Sequence, residues 1–501
     1  MKTSLLAAGE SRFVQGLALT LLLCILAIAQ LQSQSAVWDP DIWWHMRTGN
    51  WIIQHHAFPH VGIFSHTGSE RPWAAYSWGF EIPVALLNDW LGLKGPMIFV
   101  MAFATIFTLV FFIVLRNLSK SFWAAWLFTA VAIWGANVDQ IAPPRPVLFS
   151  ILFFTIGLGL VLKVQQTGEK KFLYWLVPLF VLWANCHIQF VYGLLLPGLL
   201  AVMVTLDQWA RRRQIAAWPD AGGFKKLSPG LTWGILLACV AATLINPYGI
   251  GLYRTIATYM RSSYSYLVVM ELQAPNFRSS AHYVELMLVG CGFFMLGRRS
   301  LDLFQLALLT IASMLAFRTL RDAWFLCISV AGIMAYSTAK VGEAAAAAGA
   351  AKKGLEFRGM ALALVGAICI ITVRAWDSSL NNDNLLKIVR SAYPLDAARY
   401  MHEQQPPGPL FNNLNWGGFL IGALPEYPVS MDGRNDLYGD DLMQREVETL
   451  RGVDWGDDPA IAKANVILLP AQLPLTRELQ QSPQFKMIYA DKMAMVFIRN
   501  R

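Results

Sequence analysis

The sequence predicts an α-helical polytopic membrane protein that carries a small α/β domain at its C-terminal end. Three observations predict it. The 501 residues are 56% hydrophobic and only 14% charged, with a mean hydropathy of +0.44. Apolar stretches near the length a bilayer core demands recur from the N-terminus to about residue 376. Beyond that point charged residues and prolines rise and the apolar runs become short.

The first apolar run, 13–29, follows Lys2 and Arg12. Ala27-Ile28-Ala29 imitates a signal-peptidase site, but the run exceeds the roughly 7–15 residues of a signal-peptide core, so it reads as an uncleaved helix. Further spans fall at 94–115, 121–138, 147–164, 172–188, 190–209, 230–247, 281–297, 301–317, 322–339 and 358–376. With the first, that makes about eleven. Basic residues then orient them. Lys2 with Arg12, Arg116 with Lys120, Lys170 with Lys171, Arg211-Arg212-Arg213 with Lys225 and Lys226, Arg298 with Arg299, and Lys352 with Lys353 all fall on one side. This is the positive-inside pattern, with the N-terminus in the cytoplasm. An odd count of spans places the remaining polar parts outside. The organisation expected is a membrane domain over 1–376, containing a first extracytoplasmic loop at 38–93, and an extracytoplasmic α/β domain over 377–501, all in the inner (cytoplasmic) membrane.

The net charge of +8 reads as topology. The basic residues are scattered among short loops, so no nucleic-acid partner is expected. The six cysteines, Cys24, Cys186, Cys239, Cys291, Cys327 and Cys369, lie in apolar runs without CxxC spacing, which argues against disulfides and a cysteine metal site. The alanine-rich stretch at 343–352 reads as a cytoplasmic linker.

The first outer loop holds the densest chemistry. Asp39-Pro40-Asp41-Ile42-Trp43-Trp44-His45 lies directly beyond the first span. Ionisable groups at a membrane boundary are costly and mark a functional site. Six tryptophans of this loop suit the headgroup layer, and 41–54 and 77–91 read as short helices in the interface plane. His45, His55, His56, His60 and His66 are five of the eight histidines. Such a surface suits an amphiphilic substrate.

Pro40-Asp41, then Gly49-Asn50-Trp51-Ile52, then Arg71-Pro72 with Tyr76-Ser77-Trp78, resembles the first outer loop of the lipid-sugar-dependent GT-C glycosyltransferases. Bacterial aminoarabinose and protein mannosyltransferases are examples. The resemblance covers this loop well and the multi-span layout loosely. Ile42 stands where an acidic residue usually follows the aspartate, and Asp39 lies two residues upstream instead. The resemblance implies sugar transfer from a polyprenyl-phosphate carrier to an acceptor on the outer face. Asp41 matches the position of the general base. Asp39 is the second candidate, or it orients acceptor or metal; its plainer reading is a helix N-cap. Arg71 matches the basic residue before proline and is the first candidate for the donor phosphate, whose developing charge a guanidinium would stabilise. Its plainer reading is a snorkelling arginine. Arg145, Arg318 and Arg321, at outer span ends, are further phosphate candidates; one could instead form an ion pair, for example Arg321 with Asp322. His45 shares a helix face with Asp41, and with Asp39 or His55 it could hold a divalent metal. Glu81 and His187 are outer-side groups open to substrate or metal, and Glu271 is an outer-side carboxylate without an assignment. The donor is a lipid, so no nucleotide loop is required, and neither GxxxxGK[ST] nor GxGxxG occurs. No cofactor is required on this reading. The partners are the lipid-linked donor, membrane lipid and an acceptor that the sequence does not name. Two rivals are a transporter or flippase of lipid-linked intermediates and a non-catalytic envelope scaffold. A transporter predicts mid-span charges and matching halves; this sequence has few such charges and no detectable halves.

In the C-terminal region 410–413, 427–431, 465–469, 486–489 and 493–498 read as strands. Between them 394–404, 416–424, 440–451 and 473–481 read as helices, an α/β alternation. Asp432-Gly433-Arg434-Asn435-Asp436 follows an expected strand end, where open α/β sheets bind ligands. Its plainer reading is a tight polar turn with Gly433 at positive φ.

Overall fold

The structure is a computed structural model that describes residues 12–33, 35–136, 143–216, 218–219, 221–298, 301–347, 355, 357–377 and 381–500. Lys2, Arg299, Lys352, Lys353 and the end of the alanine-rich stretch lie outside the described residues. Seven described helices are long and apolar enough to cross a membrane: Arg12–Trp38, Lys94–Ser119, Val147–Thr167, Phe190–Arg212, Ser280–Gly297, Leu320–Ala339 and Phe357–Ala375. Four other expected spans are apolar helices of 10–17 residues: Phe122–Gly135, Lys171–Cys186, Pro229–Ala242 and Leu303–Arg318. A helix satisfies every backbone polar group internally, which lipid requires of any spanning segment. Polar caps start several of them. Ser121 accepts from Ala124 N, Ser228 from Leu231 N and Asp302 from Gln305 N.

The chain divides into two compact units. One comprises Met1–Ser33, Val100–Gly249 and Glu271–Ser378; the other comprises Gln34–Phe99, Ile250–Met270 and Ser379–Arg501. The first contains most of the long apolar helices. The second gathers the first loop and the polar C-terminal region with one short inserted segment.

The second unit contains a four-stranded sheet: β1 (Leu410–Asn412), β2 (Val466–Pro470), β3 (Phe485–Ala490) and β4 (Ala494–Arg499), in the order β1-β2-β4-β3. β1 pairs parallel with β2, while β4 is antiparallel to both of its neighbours. Phe411, Ile467, Leu469 and Phe497 pack with Leu475 and Leu479, from the helix Pro474–Gln481, into a buried core. The expected strand at 427–431 does not join this sheet. Val429 N donates instead to Phe64 O, and His66 N donates to Val429 O, so this segment spends its backbone groups on the first loop.

The first loop forms the two expected helices, Pro40–His55 and Trp78–Leu91. They meet along a face where Gly49 is required. A Cβ there would overlap the backbone carbonyl of Glu81 and lie 2.8 Å from Ala85 Cβ. The helix Leu414–Ala423 covers the other side of Pro40–His55. Trp43 meets Phe419 and Tyr393 edge-on at 5.3 and 5.8 Å, and the Tyr393 hydroxyl donates to Trp38 O.

Substituting Gly49 with alanine would therefore wedge the two loop helices apart. The expected cost is about 1–3 kcal/mol or more of stability, the usual scale of overpacking. Thermal melting of the full-length protein in detergent or nanodiscs measures it; an unchanged midpoint would contradict the close packing.

Candidate active site

Asp39 takes extended backbone and caps the helix Pro40–His55, its Oδ1 accepting from Asp41 N at 2.8 Å. Pro40 occupies the first helical position, where no N–H is needed. The cap points Asp41 into the first turn. Its Oδ1 accepts from Trp44 Nε1 at 3.1 Å and faces Gly433 so closely that a Cβ there would overlap it. Gly433 does not take positive φ. The glycine is needed for this close approach and not for the left-handed turn the motif suggested.

The residues around Gly433 form the most buried polar cluster of the unit. Arg434 donates from Nε and Nη2 to the two oxygens of Asp432 at 2.8 and 2.7 Å, and both side chains are fully buried. Tyr438 donates its hydroxyl to Asp432 Oδ2 at 2.7 Å. The guanidinium lies 4.6 Å from the Trp73 ring centroid and 5.7 Å from that of Phe64, both from the first loop. Burial opposes the charge on Arg434, but Asp432, Tyr438 and Asp436 hold its pKa above the ordinary value.

Glu81 and His45 form a second buried pair, with Nδ1 3.0 Å from Oε1 and side chains 1% and 5% exposed. Burial pushes the Glu81 carboxyl well above its usual range, with the nearby Arg434 charge opposing and Asp436 adding to it. Its second oxygen is buried without a hydrogen-bond partner among the described residues. Asp436 lines a pocket of about 180 Å³ together with Tyr259, Arg261, Ser262, Asn435 and Asp440. Tyr259 donates to Asp436 Oδ1 at 3.3 Å, and Tyr76 and Tyr259 hydroxyls lie 3.2 Å apart. Burial raises the Asp436 pKa to about 6, against the pull of Arg434.

The remaining expected residues of this unit have local duties. Arg71 donates to Tyr438 O and makes a surface pair with Asp441 at 2.8 Å. His55 stacks on Trp51 at 4.3 Å and hydrogen-bonds its carbonyl. Among the described residues no group of three or more His, Cys, Asp or Glu gathers as a metal site.

Arg145, His187, Arg318 and Arg321 belong to the first unit. There Glu271 accepts from Arg145 Nη1 at 2.5 Å through Oε1 and from Arg321 Nη2 at 3.0 Å through Oε2. Burial would raise its pKa, but the two guanidiniums hold it below the ordinary value. Arg321 thus pairs with Glu271, while Asp322 accepts from Thr319 at 2.8 Å and Tyr192 at 3.1 Å. His187 Nδ1 lies 2.8 Å from Ser150 Oγ, which also accepts from Trp183 Nε1.

Sequence reasoning missed the burial of Asp432 and Arg434, the role of Asp436 and the position of Glu271. The acid–base–acid run 432–436 was a signal for the first two. Glu271, a lone acid in a polar connection, offered none.

The helical fold with its small C-terminal sheet is similar to that of a solved oligosaccharyltransferase, and seven described helices are long and apolar enough to cross a membrane. The oligosaccharyltransferase of Archaeoglobus fulgidus, solved with a tethered acceptor peptide, is 10% identical with a TM-score of 0.50, over 97% of this chain and 74% of that one. ArnT from Cupriavidus metallidurans bound to undecaprenyl phosphate is 14% identical with a TM-score of 0.48, over 95% and 97%. The same protein in its apo state is 14% identical with a TM-score of 0.40, over 94% and 97%. No family model and no curated protein matches the chain.

The Asp436 carboxyl makes stability depend on pH. Its folded pKa of about 6 exceeds the ordinary 3.8, so the folded protein binds the extra proton in that window. The contribution is present below the lower value and is lost as pH rises through about 6. Asp436→Asn removes this loss. Thermal midpoints between pH 4 and pH 7 should shift in the variant's favour relative to wild type as pH rises; a constant gap would refute the assignment.

Proposed function

We propose that this protein is a membrane glycosyltransferase that moves a sugar from a polyprenyl-phosphate carrier to an acceptor on the outer face of the cytoplasmic membrane. The observation that carries this reading is the fold, which matches the Archaeoglobus oligosaccharyltransferase along 97% of the chain. The setting of Asp41 supports it. This carboxylate stands at the head of a helix just beyond the first apolar span, next to the backbone of Gly433.

In the proposed step an acceptor oxygen attacks the anomeric carbon of the donor. Its proton passes to the Asp41 carboxylate. The bond from that carbon to the phosphate oxygen breaks, and its electron pair leaves with the polyprenyl phosphate. A positioned carboxylate contributes on the order of 10²–10⁴-fold to such a transfer. Asp39 fixes the helix start and so acts as a positioning residue. Arg145 and Arg321 are the first candidates for the phosphate, because each already binds a carboxylate oxygen. Arg71, committed to Tyr438 and Asp441, is the weaker candidate, and Arg318 is a further one.

The test is turnover of a polyprenyl-phosphate-linked sugar by full-length protein in nanodiscs, followed as release of polyprenyl phosphate. Asp41→Asn should lower kcat by about 10²-fold or more while the thermal midpoint stays within a few degrees. Asp39→Asn should cost less, since asparagine is as good a cap as aspartate. Full turnover in both variants would remove the acid from the chemistry.

A further inference from the structure

The Arg145–Glu271–Arg321 group is built like a site for a tetrahedral oxyanion, although its present occupant is a side chain. The two guanidiniums come from different elements. Arg145 precedes the helix Val147–Thr167, and Arg321 sits in the short turn Leu320–Asp322. Each takes a separate oxygen of one carboxylate. Guanidinium forks bind carboxylate and phosphate with the same geometry.

Charge favours a phosphate. Arg145 and Arg321 both act on the single negative charge of Glu271. A phosphate monoester, at about −1.5 to −2 near pH 7, offers the same two guanidiniums more charge than a carboxylate does. The site is also reachable, with side-chain exposures of 20% for Arg145, 36% for Glu271 and 38% for Arg321.

Location favours a lipid over a free ion. Arg145 lies at the start of one apolar helix, Arg318 at the end of another and Arg321 at the start of a third. Span ends lie at headgroup depth, where a lipid phosphate resides. Glu271 belongs to none of these helices. It sits on the three-residue turn Met270–Leu272, anchored beside it by Leu320 N donating to Gln273 O. A carboxylate on so short an element can leave without unpacking a span.

We propose that Glu271 is a resident stand-in for the carrier phosphate: it holds Arg145 and Arg321 in an oxyanion-binding geometry and is displaced when a polyprenyl phosphate arrives. This rests on the lipid-linked donor reading. The stand-in keeps the two arginines from repelling each other when no lipid is bound, and it sets a competition that weakens binding of the released carrier. Glu271 is thus a specificity-determining residue and not a catalytic one.

The test measures binding of undecaprenyl phosphate, undecaprenol and inorganic phosphate to full-length protein in nanodiscs. The variants are Glu271→Gln, Glu271→Ala and the pair Arg145→Gln with Arg321→Gln, each checked for an intact thermal transition. Removing the competitor should tighten undecaprenyl phosphate about tenfold, equivalent to about 1.4 kcal/mol. Undecaprenol should bind all variants equally, and the arginine pair should lose the phosphate-dependent part. If the arginine pair weakens binding while both Glu271 variants match or fall below wild type, Glu271 is structural and the stand-in is overturned with the donor reading intact. If undecaprenyl phosphate binds regardless of the arginines, the phosphate assignment and the stand-in fall together. Inorganic phosphate binding Glu271→Gln as tightly as the lipid would overturn the lipid assignment.

Discussion

The buried ion pair between Asp432 and Arg434 governs the architecture of the polar unit. Two fully buried charges are costly to desolvate, and a bidentate contact alone seldom repays that cost. Here further contacts support the pair, although Arg434 Nη1 is buried without a hydrogen-bond partner among the described residues. Tyr438 donates to Asp432, and the guanidinium lies against Trp73 and Phe64. The pair fixes the backbone on either side of Gly433, and that backbone is the wall against which Asp41 rests. First-loop aromatics and C-terminal charges therefore make one body.

Around this anchor the acids separate into distinct environments. Asp41 is held at a helix start by an indole N–H. Glu81 is buried against His45 and pushed towards its neutral form. Burial raises the Asp436 pKa to about 6 at the edge of a pocket. Two carboxyls of raised pKa in one unit suit acid–base chemistry. The cationic chemistry is concentrated in the other unit, where two arginines share one carboxylate.

Much of this was legible in the sequence, for identifiable reasons. Apolar run length reports membrane helices directly, and the loop helices Pro40–His55 and Trp78–Leu91 lie within a residue or two of their expected bounds. The Asp39-Pro40 pair announces a capped helix start. The strand expected at 427–431 failed because apolar alternation does not say which backbone will supply the partner; the first loop did. The turn expected at Gly433 failed because a glycine serves close approach as well as positive φ. Arg71 looked available from its neighbours in the chain, but Asp441 lies 370 positions away. Glu271 stood out only as an outer-side carboxylate without an assignment, because nothing local connects it to Arg145, 126 positions earlier. Local periodicity encodes elements, whereas these long-range pairings depend on tertiary packing.

The most direct test of the anchor is a double-mutant cycle on the full-length protein, with Asp432→Asn, Arg434→Met and the two combined, read as thermal stability. Each single change should strand a buried charge or polar group and cost about 3–5 kcal/mol, and the double variant should cost clearly less than the sum. Singles that melt with wild type, or costs that simply add, would show that the pair does not hold this unit together.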